Sequence, residues 1–447
     1  MSEQQRAVGE GLTGDDLLEG VEVDVEVERY AHGGHCVARH DGRVLFVRHT
    51  LPGERVRARV TESTPGRSFV RADAVEVLRA APERVERRCG WSGPGLCGGC
   101  DLQHVELAAQ RRLKAAAVAA SMERIGGLDV TGLLAPEAEP VAGDESGLRW
   151  RTRTTFAVDD RGRPGLRAHR SHEIVPVDDC PITVRPALAT GVLEQDWEGA
   201  LAVTAVAPSV GDPVLVPVGE RGRPLHEVPR VTEAVATPEG ERRWTIGARG
   251  FWQVHPGAPA TLVSAVLEAA VVQPGDRVLD LYCGAGLLTL PLAEATGDGG
   301  QVVGVEGAGP AVEDARAALA EHPWVALVAS RVDEAFGLAR TDPGRRRPRR
   351  GRTRGGPRAR HDLLPPTADV VVLDPPREGA GAAVVAAIAD LRPRTVVHVA
   401  CDPAALARDA AAFVARGYEL SALRAFDAFP MTHHVECVAT FRRADAV

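Results

Sequence analysis

One stretch of this chain, residues 276–293 with the sequence DRVLDLYCGAGLLTLPLA, limits the possible folds more than any other. An apolar run ends at Asp280, the chain turns through Gly284 and Gly286, and a helical pattern follows. Strand, glycine-rich turn and helix in this order form the first unit of a doubly wound sheet, where a ligand lies over the carboxyl ends of the strands. The sequence therefore predicts an α/β fold with a nucleotide-type pocket beside this turn.

Two further apolar strands end in residues that can carry chemistry. Residues 369–377 (DVVVLDPPR) contain Asp374, and residues 395–403 (TVVHVACDP) contain Cys401. We predict that all three strands are parallel neighbours, which would bring Asp280, Asp374 and Cys401 to one edge of the sheet. The two prolines after Asp374 hold the backbone extended and lack amide donors, so they should stiffen a loop at the pocket mouth.

Two acids are candidates for contacts with a cofactor. Glu306 ends an apolar strand at 302–306, about twenty residues beyond the glycine turn, where a ribose-binding carboxylate belongs. Asp374, before its Pro-Pro turn, can anchor an amine of a substrate or cofactor. The alternatives are an ordinary strand-end acid and an acid that only caps its loop. Together with the turn, these residues favour an adenosine-containing ligand.

Cys401 and Glu436 are the candidates for the reaction itself. Cys401 precedes a predicted helix with Asp402 as cap and Pro403 as first residue, so we expect the helix dipole to lower the pKa of the thiol. Glu436 lies on or before a buried apolar strand, where an acid is costly without a role or a partner. A general base is the functional interpretation of Glu436. A buried strand-end cysteine and a structural ion pair are the respective alternatives.

A cluster of cysteines predicts a metal site in the first half of the chain. Three of them lie in a loop rich in glycine and proline, two of these in a CxxC pair, and a fourth follows in DDCPIT. Four thiolates suit an iron–sulfur cluster or a structural zinc ion, whereas unrelated reduced cysteines are the alternative. The four residues are Cys89, Cys97, Cys100 and Cys180.

Nucleic-acid binding would depend on local patches, because the net charge of the chain is −8. Residues 20–77 alternate in a β-rich pattern that predicts a small barrel, either RNA-binding or only structural. In the β-rich segment 150–181, arginines beside Trp150 and Phe156 could form a positive RNA-facing surface or an ordinary salt-bridged one. These arginines are Arg151, Arg153, Arg167 and Arg170.

Composition places the chain among soluble proteins. Hydrophobic residues make up 44% and charged residues 26%, without an apolar run of membrane-spanning length or a signal-like start. We therefore expect a cytoplasmic protein without membrane contact, and a monomer. Residues 1–18 and the arginine-rich insertion 341–367 are predicted to be disordered. The insertion either adds sequence-independent RNA affinity or is only tolerated at the surface.

Four motifs, in this order and spacing, resemble those of the bacterial uridine-C5 RNA methyltransferases: DLYCGAG, VLDPPREG, ACDPAALARD and FPMTHHVE. The N-terminal barrel resembles the TRAM domain of that family, and the cysteine loop followed by DCPI resembles its iron–sulfur site. The resemblance covers residues 18–445. It implies an OB-like TRAM β-barrel at 19–80, a β-rich central domain at 81–242, and a class I, Rossmann-like methyltransferase domain at 243–447.

The resemblance also implies roles for ten residues. Cys401 matches the nucleophile and Glu436 the base of the family. The positions that match the S-adenosylmethionine site are Gln253, Tyr282, Glu306 and Asp374, and those that match ligands of a 4Fe–4S cluster are Cys89, Cys97, Cys100 and Cys180. The implied product is 5-methyluridine in RNA, with 23S rRNA favoured over the tRNA T-loop. A non-catalytic RNA-binding protein and a zinc-containing methyltransferase acting on another base are the alternatives.

Overall fold

The computed structural model describes residues 14–338 and 359–444 of the chain. The N-terminal part is a closed barrel with the strand order β1-β2-β3-β5-β4. Its strands are β1 (Glu22–Ala31), β2 (His35–His40), β3 (Arg43–Arg48), β4 (Arg55–Glu62) and β5 (Phe69–Arg79). The small barrel predicted from the alternating pattern is confirmed.

The last residues of the predicted disordered tail, residues 14–18, are described by the structure. A 3-10 helix covers Gly14–Asp16, and Leu17 is completely buried in the barrel core. The predicted disordered segment 1–18 is therefore too long at its end, because burial of Leu17 fixes the chain there. Residues 1–13 lie outside the described residues.

The central part combines one long helix with an antiparallel sheet and a hairpin. Its elements are α1 (Leu107–Gly126), β6 (Glu139–Pro140), β7 (Arg153–Val158), β8 (Pro164–Arg167), β9 (Ile174–Pro176), α2 (Arg185–Leu188), β10 (Ala202–Val206), β11 (Val214–Val218), β12 (Arg230–Thr237) and β13 (Gly240–Gly247). A 3-10 helix, Glu220–Gly222, lies between β11 and β12. The sheet has the order β11-β10-β7-β8-β9, which confirms the predicted β-rich segment.

The C-terminal part alternates strands with helices. Its elements are α3 (Ala258–Ala270), β14 (Arg277–Leu281), α4 (Thr289–Thr296), β15 (Gln301–Glu306), α5 (Gly309–Ala318), β16 (Val325–Ala329), α6 (Val332–Ala335), β17 (Val370–Leu373), α7 (Ala382–Asp390), β18 (Thr395–Ala400), α8 (Pro403–Val414), β19 (Tyr418–Asp427) and β20 (Glu436–Arg443). No helix in the two described ranges is long and apolar enough to cross a membrane.

An eight-stranded sheet runs in the order β16-β15-β14-β17-β18-β20-β19-β6. Its parallel region includes β14, β17 and β18 as direct neighbours, as the sequence predicted. Strand β20 runs antiparallel beside β18. The carboxyl ends of the three predicted strands therefore meet at one edge, which is where a doubly wound sheet binds its ligand.

Apolar side chains alternate between two cores, one on each face of this sheet. On β14, Val278 belongs to the core that includes α3 and α4, whereas Leu279 and Leu281 belong to the core that includes α7 and α8. All residues of β17 are completely buried. Burial of each such side chain contributes about 1.5–3 kcal/mol, so the strand ends form a rigid edge for the loops that follow them.

The central part is joined to the eight-stranded sheet and is not a separate layer. Strand β6 pairs in parallel with β19, and α1 packs on α8, where Met122 and Phe413 share one core. The hairpin β12–β13 packs on α5 through Trp244 and Ala315. The predicted boundary between residues 242 and 243 lies within this hairpin.

The described end of the arginine-rich insertion is ordered. The amide of His361 donates to the carbonyl of Ala335 (2.8 Å), and Leu364 is buried in the core below α7. Burial of this leucine fixes the described end of the insertion, so the predicted disordered segment 341–367 is too long at that end. Residues 341–358 of the predicted disordered segment lie outside the described residues.

Candidate active site

A cleft of about 2360 Å³ lies over the carboxyl ends of the parallel strands. Small-ligand pockets usually measure about 300–1,000 Å³, so this cleft has room for a cofactor and for part of a macromolecular substrate. All six residues predicted for cofactor binding and chemistry line it: Gln253, Tyr282, Glu306, Asp374, Cys401 and Glu436.

The turn after β14 closes one end of the cleft. Gly284 (φ 55°) and Gly286 (φ 84°) have left-handed backbone conformations, which glycine adopts without strain, whereas Tyr282 (φ 64°) adopts one as a non-glycine residue. The turn folds back on β15, and the amides of Tyr282 and Cys283 both donate to the carbonyl of Val305 (2.8 and 3.1 Å). This arrangement leaves backbone exposed beside the cleft, where a ligand can approach closely.

Glu306 faces this turn from the end of β15. One carboxylate oxygen accepts a hydrogen bond from the amide of Gly284 (3.1 Å) and the other from the amide of Ala308 (2.6 Å). These bonds fix the carboxylate, and each oxygen retains a lone pair. The geometry suits acceptance of hydrogen bonds from the hydroxyls of a ribose.

Two buried carboxyls lie beside the same turn. One oxygen of Asp280 accepts a hydrogen bond from Thr289 (2.6 Å), and the other has no partner among the residues that the structure describes. Burial raises the pKa of both Asp280 and Asp374 to about 7. The sequence placed Asp280 at this sheet edge without naming it as a site residue, although an acid directly before the glycine turn was the available signal.

Strands β18 and β20 bring Cys401 and Glu436 together. Their antiparallel register pairs Ala400 with Cys437. The next residue on each strand end is therefore Cys401 on one side and Glu436 on the other. As predicted, Asp402 caps α8, and its side chain accepts a hydrogen bond from the amide of Ala405 (2.8 Å).

Comparison with known proteins finds relatives over the whole chain. A family model of the TRAM domain matches residues 16–75, and one described as tRNA (Uracil-5-)-methyltransferase matches residues 250–444. An uncharacterised RNA methyltransferase of Streptomyces coelicolor is 43% identical, over 99% of this chain and 97% of that protein. The 23S rRNA (uracil(1939)-C(5))-methyltransferase RlmD of Cronobacter sakazakii is 34% identical, over 92% of this chain and 94% of that protein.

The chain belongs to the RNA (uracil-C5)-methyltransferase family. It is accordingly an S-adenosylmethionine-dependent RNA (uracil-C5)-methyltransferase. A crystal structure of the Pyrococcus abyssi tRNA (uracil-54, C5)-methyltransferase in complex with S-adenosyl-L-homocysteine shares the fold, with a TM-score of 0.64 and 21% identity over 93% of this chain and 99% of that chain.

The thiol of Cys401 in this methyltransferase has a raised pKa, which corrects the prediction of a lowered one. Burial is the largest cause, the charges of Glu436 and Asp374 add to it, and Arg377 opposes it, so that the pKa is about 12. Burial likewise raises the pKa of Glu436 well above its usual range, with Asp374 adding to the shift. Loss of hydration therefore outweighs the helix dipole at the thiol, which keeps its proton at neutral pH in the free enzyme.

Alkylation of Cys401 in the free methyltransferase should be slow. A pKa of about 12, compared with about 8.5 for an exposed cysteine, lowers the thiolate fraction at pH 7.5 by about 10³-fold. We expect the rate of iodoacetamide labelling, measured by mass spectrometry of the Cys401 peptide, to rise roughly tenfold per pH unit up to about pH 10. Cys401→Ser provides the blank. A rate at pH 7.5 equal to that of an unstructured cysteine peptide would contradict the raised pKa.

The four predicted metal-binding cysteines lie near one another in the central part of the methyltransferase. All are buried, and burial is the main cause of the raised pKa of three of them, with the charge of the fourth, Cys180, adding to it. The sulfurs of Cys97 and Cys100 accept hydrogen bonds from Gly99 (3.4 Å) and Gln103 (3.6 Å). Within residues 14–338 and 359–444, no group of three or more cysteine, histidine or acidic side chains is arranged around a metal position. The four residues are Cys89, Cys97, Cys100 and Cys180.

The outer face of the barrel carries aromatic and basic side chains that the sequence analysis missed. The ring of Phe46 contacts the rings of His35 and Phe69 edge-on, at centroid distances of 5.0 and 5.2 Å. Arg71 lies over Phe46 (6.0 Å) and Phe69 (5.6 Å), and Arg67 lies over Phe69 (5.4 Å). The available signal was the alternation of these residues with the buried residues of β3 and β5.

Only part of the predicted positive face exists on the central sheet. Arg153 and Phe156 are buried, and Arg153 forms an ion pair with Glu233 of β12 (2.8 Å). Neither therefore faces RNA, because the hairpin covers this part of the sheet. The remaining predicted arginines line the cleft or a neighbouring surface pocket: Arg151, Arg167 and Arg170.

Proposed function

We propose that this methyltransferase forms 5-methyluridine in 23S ribosomal RNA, with Cys401 as nucleophile and Glu436 as general base. The observation that carries this proposal is the position of Cys401 opposite Glu436, in the same cleft as the glycine turn. Relatives named as 23S rRNA enzymes, from Cronobacter sakazakii and a Shewanella strain, align over 92% and 94% of the chain and support ribosomal RNA as the substrate.

The cofactor end of the cleft fits an adenosine-containing cation. Glu306 is held in place to accept hydrogen bonds from ribose hydroxyls. Asp280 lines a small adjoining pocket, and its oxygen without a partner among the described residues is a buried acceptor that a cationic amino group would satisfy. Asp374 adds a second acid, and Gln253 and Tyr282 complete the walls. When bound there, S-adenosylmethionine supplies a methyl group on a sulfonium.

Cys401 acts as the nucleophile and Glu436 as the base in the remaining steps of the reaction. Uracil C5 is too weakly nucleophilic alone, so the Cys401 sulfur, after giving its proton to water, adds to C6 and moves the C5–C6 π electrons into an enolate with negative charge at C5. C5 uses this electron pair to bond the methyl carbon, whose bond to the sulfonium sulfur breaks and leaves its electrons on that sulfur. The carboxylate of Glu436 then removes the C5 proton, and the electrons of that C–H bond restore the double bond as the C6–S bond breaks. Its raised pKa makes Glu436 a stronger proton acceptor.

The test of the substrate uses S-adenosylmethionine with a labelled methyl group and total RNA from a strain that lacks the gene. Nucleoside analysis and mapping should place the label in 5-methyluridine at one position of 23S rRNA. Label in the tRNA T-loop would retain the mechanism and overturn the substrate. Absence of labelled 5-methyluridine would overturn the proposal, and a Cys401→Ala reaction provides the background.

We further propose that Cys89, Cys97, Cys100 and Cys180 hold a 4Fe–4S cluster. The support is chemical: four buried thiols lie near enough for their charges to interact, and N–H groups donate to two of the sulfurs, as is common around thiolate-bound iron. Methyl transfer needs no electron, so the cluster would hold the loop in place. Protein purified without air should show broad visible absorbance and about four iron atoms per chain, and Cys100→Ser should lose both. A colourless protein with one zinc ion would overturn the cluster assignment.

The aromatic and basic barrel face should contribute to RNA affinity. Stacking of a base on an aromatic ring contributes about 1–3 kcal/mol, so Phe69→Ala should weaken binding of a single-stranded rRNA fragment by about 5- to 100-fold. Val44, which precedes Phe46 by two residues on the same face of β3, provides the control Val44→Ala. Fluorescence anisotropy at fixed salt measures both variants. Equal affinity of Phe69→Ala and the wild type would exclude stacking at this ring.

A further inference from the structure

The loop that leads to Glu436 contains a residue in a strained backbone conformation. We call residues 428–435, between β19 and β20, the catalytic loop. Met431 in this loop is buried and has φ 66°, in the left-handed region that non-glycine residues seldom occupy. Such a conformation persists only where surrounding structure holds it, and it clusters at functional sites.

Hydrogen bonds from one distant segment hold Met431. Its amide donates to the side-chain oxygen of Gln110 (2.8 Å), and its carbonyl accepts from the amides of Asp101 (3.0 Å) and Leu102 (2.9 Å). Gln110 is completely buried, and its amide nitrogen donates to the carbonyls of Leu102 (3.2 Å) and Val105 (2.9 Å). Both polar groups of the strained residue are therefore bound by side chains and backbone that are themselves fixed.

The same segment holds the catalytic loop on either side of Met431. The carboxylate of Asp101 accepts hydrogen bonds from the ring (2.6 Å) and the amide (3.2 Å) of His433. On the other side, Lys114 of α1 donates to the carbonyl of Phe429 (3.0 Å). We call residues 101–114 the clamp. It begins directly after Cys100, so the cysteine loop and the catalytic loop are joined through it.

The barrel reinforces the clamp at Asp101. The guanidinium of Arg48 lies 3.6 Å from the Asp101 carboxylate, and a side chain added at Gly34 would come within 2.6 Å of it. Asp101 is thus enclosed by the barrel, the cysteine loop and the catalytic loop. An acid enclosed in this way can fix the geometry of His433, which lies three residues before Glu436.

We propose that Asp101 and Gln110 are positioning residues that hold Glu436 in reach of the C5 proton. This inference rests on the proposed roles of Cys401 and Glu436. Addition of Cys401 and methyl transfer do not use Glu436; only removal of the C5 proton and breakage of the C6–S bond do. A displaced Glu436 should therefore stop the reaction after methyl transfer, with the methylated RNA still bonded to Cys401.

The experiment compares Gln110→Leu and Asp101→Asn with the wild type, with Glu436→Gln as reference. We expect both clamp variants to lower kcat about 10- to 100-fold, to leave KM for RNA within about threefold, and to accumulate an SDS-resistant protein–RNA adduct that carries the labelled methyl group. Ser121→Ala, a buried change on α1 away from the catalytic loop, should behave like the wild type.

The outcomes distinguish the positioning role of Asp101 and Gln110 from the catalytic role of Glu436. An adduct in Glu436→Gln but not in the folded clamp variants would overturn the positioning role, as would wild-type turnover in both. No adduct in Glu436→Gln would instead count against the role of Glu436 itself. Binding of S-adenosylhomocysteine and thermal melting establish folding, and if Gln110→Leu does not fold, the isosteric Asp101→Asn decides.

Discussion

Cys401→Ala should abolish methyl transfer while leaving the affinity for S-adenosylmethionine and RNA within about threefold of the wild type. Without the thiol no bond forms at uracil C6, and C5 lacks the electron density to attack a methyl group. Loss of a covalent nucleophile typically costs at least about 10⁴-fold in kcat, which places the variant at the detection limit. Single-turnover transfer of labelled methyl to rRNA, with enzyme in excess, measures the effect.

Cys36→Ala is the matched control for the loss of a buried thiol. Cys36 lies in the barrel core, and its sulfur donates to the carbonyl of Thr50 (3.4 Å), away from the cleft. This variant should retain turnover and lose only some stability. Methylation by Cys401→Ala above background would show that another group activates the uracil and would remove the thiol from the mechanism.

Glu436→Gln should slow turnover by about 10² to 10⁴-fold, the range expected for loss of a general base. Glutamine keeps the shape of the side chain but cannot accept the C5 proton. The Cys401–RNA adduct should therefore accumulate after methyl transfer, visible as labelled RNA that migrates with the protein in a denaturing gel. Digestion of the adduct should release a peptide containing Cys401. Fast product release without an adduct would show that another base removes the proton.

The same variant has a separate signature in stability. Burial raises the pKa of Glu436 above its ordinary 4.5, so the folded state binds this proton more tightly than the unfolded state. The stabilisation is present in full below about pH 4.5 and is lost as the pH rises through the folded pKa. Glu436→Gln removes this dependence. Its melting temperature should accordingly fall less than that of the wild type as the pH rises above about 4.5.

Local sequence patterns were sufficient to predict much of the site. Each predicted parallel strand ended at a chemically distinct residue, and the parallel order of β14, β17 and β18 then required Asp280, Asp374 and Cys401 to meet. That inference depends only on strand periodicity and on the rule that ligands lie over carboxyl strand ends. The closeness of Glu436 to Cys401 could be implied only by resemblance, because the register of β20 against β18 is set by packing between distant residues.

The predictions were wrong where residues distant in the sequence bury a side chain and so determine its pKa or its exposure. The pKa of Cys401 was predicted from its own helix, whereas loss of hydration and the carboxylates that face it dominate. Arg153 looked solvent-facing, but Glu233, on a hairpin eighty residues away, pairs with it and covers it. The contacts between the clamp and Met431 could likewise not be predicted, since no sequence pattern indicates a positive φ in a methionine.

The pairing of β6 with β19 and the packing of α1 on α8 bear on how such enzymes can diversify. A fragment that starts at residue 243 would expose the hydrogen-bonding edge of β19 and the apolar face of α8. The N-terminal half and the catalytic half should therefore be inherited together. New substrate preferences in this lineage should arise by changes within loops and surfaces, and not by exchange of the catalytic part as an independent unit.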